Sequence, residues 1–247
     1  MALYGRHVPH PWLPEPTEDL YSLAFKQAAA YGWSFPLSSD QPPPEGQRWA
    51  QHEAGGAVPA TSAGTGELAW LQAAVLSLPG QSLPIVPMAD ILLRALGRLG
   101  TTVATGLHVL VPLACDAPPP AGPSYGTLLH ADVLALADPG AETDVIVTLA
   151  LPNPDADIDA LSAIRQWAPS GSQALLGVVP HAAGASLTPT ARSRALGYGL
   201  TPTMSCRMRL TEWSLEAAAW LTTHLAESLR HAHVGELALI EVIKECE

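Results

Sequence analysis

The sequence predicts an α+β fold. Its C-terminal half, 143–247, reads as a ferredoxin-like β-α-β-β-α-β sheet, with a less regular α/β N-terminal half packed against it. Three features carry this expectation. From Thr143 onward, segments alternating at period two interleave with segments apolar at three- and four-residue spacing, the marks of half-buried strands and amphipathic helices. The 24 prolines crowd towards the N-terminus and none follows Pro202, so the end of the chain can be regular throughout while its beginning cannot. At 247 residues, 48% of them hydrophobic and 14% charged, the chain suits one large domain or two small ones and is too apolar to be disordered.

Residues 1–16 carry Pro9, Pro11, Pro14 and Pro16 and read as an extended arm. Thr17 is placed as an N-cap, with Glu18 and Asp19 in the first turn, where acidic side chains meet the positive end of the helix dipole. Leu20, Leu23, Ala24, Ala28 and Tyr31 recur at helical spacing and predict a helix over 18–30, closed by Gly32. Residues 33–37 suit a short strand. The prolines at 42–44 and the glycines at 55, 56, 64 and 66 make 38–66 a long loop, and loops of that length are usually functional lids or disordered segments. The apolar run 67–78 is expected as a buried helix with Thr65 as its N-cap. The next helix has Pro87 in its first turn, a stripe of Met88, Ile91, Leu92, Ala95, Leu96 and Leu99, and Gly100 as its terminator. Residues 102–113 form a strand with Val103, Leu107, Val109, Val111 and Leu113 on one side. A proline-rich loop follows at 116–123, and 127–137 leans towards strand. This N-terminal half spans 17–138.

In the C-terminal half, Thr143–Leu151 is a strand with Val145, Val147, Leu149 and Leu151 facing one way. Pro154 opens a helix with Ile158, Leu161 and Ile164 inward, ending before Pro169. Ala174–Val179 is a strand and 181–200 a loop. Residues 203–213 alternate strictly as a strand. Ser214 caps a helix with the stripe Leu215, Ala218, Ala219, Thr222, Leu225, Ala226 and Leu229. Gly235 ends that connection and Leu237–Ile243 is the last strand. Both faces of the 145–151 and 237–243 strands are apolar, so the sheet must be covered on both sides. The cover comes either from the N-terminal half or from a twofold partner, which makes a homodimer one expectation.

Composition narrows the partners. A formal net charge of −11, from 12 Lys and Arg against 23 Asp and Glu, with no basic run, argues against nucleic acid and anionic membrane surfaces. Cys115, Cys206 and Cys246 are odd in number and widely spaced, which argues against a disulfide framework and a zinc knuckle. With no apolar run resembling a signal peptide or a membrane span, a cytoplasmic protein with reduced thiols is expected.

No motif names a reaction. The glycine clusters match neither a phosphate-binding loop nor a dinucleotide turn, so the cofactor is left unknown, and no metal site is expected. The most informative stretch is 203–213. Met204, Cys206, Met208 and Leu210 share one face, and Ser205, Arg207, Arg209, Thr211 and Trp213 the other. Arg207, Arg209 and Trp213 are the candidate ligand-binding residues, since arginine grips carboxylate or phosphate bidentately and tryptophan stacks on a ring. The competing reading pairs both arginines with acids such as Glu212 or Glu241. His181, just past a strand end in a loop of small residues, is the candidate general base. Trp220, His224, Glu227 and His231 share a helix face that reads as solvated rather than metal-binding. The functional expectation is a small-molecule enzyme or binding protein, with a cavity over the open sheet face that accepts an apolar or aromatic acid. The alternative is a non-catalytic interaction or assembly protein using an apolar surface and the N-terminal arm.

Overall fold

The computed structural model describes residues 1–13, 18–35, 48–56, 66–75, 82–114, 137–153, 175–180 and 186–245. The chain divides into two compact units, Met1–Leu76 with Pro84–Thr105, and Ser77–Leu83 with Gly106–Glu247. Both mix helix and strand, and the division falls inside a strand rather than between the halves drawn from sequence.

The first unit holds β1 (Ala2–Pro9), α1 (Leu20–Ala30), β2 (Ser34–Phe35), β3 (Trp49–Gly55), β4 (Gly66–Val75), α2 (Ile85–Leu99) and the start of β5 (Gly100–Pro112). Strand order is β2-β3-β4-β1-β5. α1 and α2 pack on each other, α1 against β3 and α2 against β4. The stripe expected of α2 is buried in full, from Met88 to Leu99.

Five expectations need correction here. Residues 2–9 of the expected arm are a sheet strand pairing with β4, with the buried Gly5 and His7 alternating with the exposed Arg6 and Val8. The prolines begin only at position 9, so nothing upstream of it lacks a ladder donor. Asp19, not Thr17, caps α1, its Oδ1 accepting from Ser22 N at 2.8 Å; Thr17 lies outside the described residues. Gly32 then closes the helix in the left-handed region at φ 70°, as expected. The long loop contains β3, and the expected helix over 67–78 is β4. An apolar run of that length has no period that separates a buried helix from a buried strand, and antiparallel pairing with both β1 and β3 decides it. Finally, Gly100 ends α2 with φ 176°, extended rather than left-handed. Its missing side chain is used for close approach: a Cβ there would stand 2.2 Å from the Val8 carbonyl oxygen and 2.6 Å from His7 Nε2.

The second unit holds the rest of β5, a single 3-10 turn at Pro139–Ala141, β6 (Thr143–Leu151), β7 (Leu175–Pro180), α3 (Pro189–Gly197), β8 (Thr201–Leu210), α4 (Leu215–His231) and β9 (Leu237–Lys244). Strand order is β5-β9-β6-β8-β7, every neighbouring pair antiparallel. The sheet therefore carries β5 beyond β9, which a four-stranded ferredoxin-like sheet lacks. The expected loop 181–200 contains α3. Its start signals are Thr188 as N-cap and Pro189 in the first turn, but it buries only Ala191 and Ala195, too faint a stripe to read. The expected helix at 154–169 and nearly all of the 127–137 segment lie outside the described residues.

The two sheet faces follow the alternation. Val109, Ile240, Leu149 and Met204 align across four strands, as do Leu107, Val242, Val147 and Cys206, all buried. α4 packs against β9. On the other face Leu239 and Ala150 join Leu187, Ala191, Ala195 and Leu200 in the cluster beneath α3. Both faces thus carry buried apolar residues as the pattern requires, and α3 does part of the covering from within the same unit. α4 starts as expected, Ser214 Oγ accepting from Ala217 N at 3.0 Å, but it is buried nearly all round. Its expected solvated face is a correction: Trp220 and His224 are buried and stacked, and Arg230 Nη1 binds both oxygens of Glu227 at 3.0 Å while Leu83 N donates to the same carboxylate.

Candidate functional site

The α3 face of the second unit's strands carries polar side chains in register. His108 on β5 pairs with Glu241 on β9, Glu241 with Thr148 on β6, and Thr148 with Ser205 on β8. Paired residues share a face, so these four form one row across four strands. All are buried.

Each member is held from α3 or from its neighbour. Glu241 accepts from the Thr188 hydroxyl at 2.5 Å and from Thr188 N at 3.1 Å, so the carboxylate sits at the N-terminal end of α3. At the other end of the helix, the Arg194 guanidinium lies against His108 Nε2. Thr148 Oγ1 donates to the Ser186 carbonyl at 3.4 Å and lies 3.3 Å from Ser205 Oγ. Burial raises the Glu241 carboxyl above its ordinary range, against the Thr188 hydrogen bonds that lower it. Burial, with the Arg194 charge second, pushes the His108 imidazole down to about 3. His108 is therefore neutral at pH 7.

Two residues along the strands, about 7 Å on, the same face emerges from under α3. Here Ile146 on β6 pairs with Ile243 on β9 and with Arg207 on β8, both isoleucines half-buried. Beyond them Asp144 pairs with Arg209. Arg207 Nη2 binds Glu245 at 2.5 Å, and Arg209 Nε binds Asp144 at 2.7 Å. Both arginine side chains are about half exposed, at 45% and 53%.

Of the residues singled out from sequence, Arg207 and Arg209 thus share an exposed face and each meets an acid, though neither acid is Glu212 or Glu241. Trp213 lies past the end of β8, half-buried. His181, which follows the last residue of β7, lies outside the described residues. The polar row was missed because a lone polar residue in an apolar strand leaves no pattern. His108 and Glu241 interrupt the runs Leu107–Val111 and Leu237–Ile243, and that interruption was the only signal. Cys206, on the opposite face, is fully buried, which pushes its thiol up to about 12.

Fold and site together define an α+β protein with an ionisable row buried beneath a short helix and a paired-arginine surface beside it. Set against family models, curated proteins and solved structures, the chain matches none. No described helix is long and apolar enough to cross a membrane.

Proposed function

We propose that the second unit binds a small acid with an apolar or aromatic body on the part of the α3 face that carries Ile146, Ile243, Arg207 and Arg209. The observation that carries this reading is the juxtaposition of two exposed arginines with the half-buried Ile146 and Ile243 on one face. The arginines offer fork-shaped donors to a carboxylate and the isoleucines a floor for its body. Their present partners are no obstacle, because exposed ion pairs are worth only about 0–1 kcal/mol. A ligand carboxylate can share or displace Glu245 and Asp144.

The test is calorimetric titration with benzoate and with benzamide, its neutral counterpart. Benzoate is expected to bind and benzamide not to, and Arg207→Ala with Arg209→Ala should abolish the heat. Equal binding of the two, or of benzoate to the double variant, would sink the reading. If the site also turns over its ligand, His181 is the assigned general base, and His181→Ala should remove turnover while leaving affinity in place. Within this proposal the last four strands are read as ferredoxin-like, a reading supported by their order β9-β6-β8-β7.

A second reading, interaction with another protein, draws on the first unit. There Trp12 is 73% exposed, stacked on His10 with ring centroids 4.3 Å apart. Light scattering across a dilution series distinguishes it: a mass that falls on dilution and is constant in Trp12→Ser would favour it.

A further inference from the structure

We propose that α3 is a lid that opens locally, uncovering the His108–Glu241–Thr148–Ser205 row as the inner wall of the binding surface. This rests on the reading of that surface as a ligand site. β7 and β8 are antiparallel neighbours, Pro180 opposite Cys206. α3 interrupts what would otherwise be a hairpin, folding back over the sheet face between them.

Three observations set its closed state apart from that of α4. Its helical residues bury only Ala191 and Ala195, the apolar closure being completed by Leu187 and Leu200 at its ends. Small side chains remove little area from water, so the apolar hold is weak. What the helix covers is only partly apolar: beside Leu239 and Ala150, closing it takes the Glu241 carboxylate and the His108 ring out of water, and burying ionisable groups opposes closure. Against that stand the Thr188–Glu241 and Arg194–His108 contacts, both made by α3 and its cap. A segment held largely by polar contacts over a desolvated carboxylate belongs to the low-stability end of a structure. Gly199, in the left-handed region at φ 68°, lets the chain turn back from α3 into β8.

The experiment is native-state hydrogen exchange on the unliganded chain. Amides of α3 should exchange at least about tenfold faster than those of β9, with little dependence on denaturant, as local opening requires. Two variants give the direction. Glu241→Gln keeps an acceptor for Thr188 but removes the cost of burying a charge, so it should slow α3 exchange. Glu241→Ala removes the acceptor and should speed it. Exchange of α3 at the rate and denaturant slope of β9 would overturn the proposal, as would acceleration by Glu241→Gln. Adding benzoate then separates the two readings. Protection of α3 by benzoate supports both. Fast unliganded exchange with no benzoate binding leaves the lid standing and removes the acid site.

Discussion

Single residues in this protein act mainly through what cannot be added or removed at their positions. Gly5 lies at φ 155°, and a Cβ there would stand 2.0 Å from the Val103 carbonyl oxygen. Gly5→Ala combines a disfavoured backbone with a backbone clash, and should cost at least about 2 kcal/mol in urea unfolding. His108 makes a prediction with a sign. The unfolded chain takes up a proton on this residue near 6.5 and the fold only near 3. Between those values the unfolded state holds more protons, so stability falls as pH falls, by at most about 1.4 kcal/mol per unit. Glu241 runs the other way. Its carboxyl is raised by burial, so its contribution is full below the ordinary carboxylate range and is lost as pH rises through the raised value. His108→Gln isolates the first effect. Comparing urea midpoints at pH 7 and pH 5, the variant should lose less stability than the wild type by about 1–2 kcal/mol. Identical pH slopes would mean that His108 takes up its proton in the fold as readily as outside it.

Elements differ in how they are held, and substitutions should report the difference. α4 is buried nearly all round, and Leu225 is fully buried. Leu225→Ala should therefore cost about 2–5 kcal/mol, measured by denaturant unfolding; a loss of a few tenths would show the helix phase to be wrong. α3 is exposed on its outer side, and Gly197 in its last turn has nothing within 4 Å of an added Cβ. Gly197→Ala should stabilise α3 by about 0.5–1 kcal/mol, because alanine loses less backbone freedom than glycine on entering a helix. The same variant should slow α3 hydrogen exchange without changing that of β9.

At the scale of the whole molecule, coverage of the second unit's strands decides between a cavity within the unit and a twofold partner. Ile240 and Val242 are fully buried, so Ile240→Asp should unfold the second unit instead of releasing a dimer. Circular dichroism with light scattering checks this, and a folded variant of halved mass would restore the partner. Thiol chemistry tests the expected reduced state of the chain. Cys206 is free, buried and poorly ionised, and should resist a disulfide-exchange reagent until denaturant is added.

The sequence by itself determined the mixed class, the strands from Thr143 to Leu151 and from Leu237 to Ile243, the Ser214 cap and the α2 stripe. In these places period, cap and turn chemistry agree, and each is a local property of a few neighbouring residues. It also placed Arg207 and Arg209 on one strand face, because alternation needs no partner strand to be read. Only the tertiary structure decided that 66–75 is a strand, that 2–9 joins the sheet, and that α3 exists and covers a face. An apolar run acquires a conformation from the ladder beside it, and two buried alanines make no visible stripe. The polar row is the clearest case. His108, Thr148, Ser205 and Glu241 lie far apart in sequence, and strand register alone brings them together.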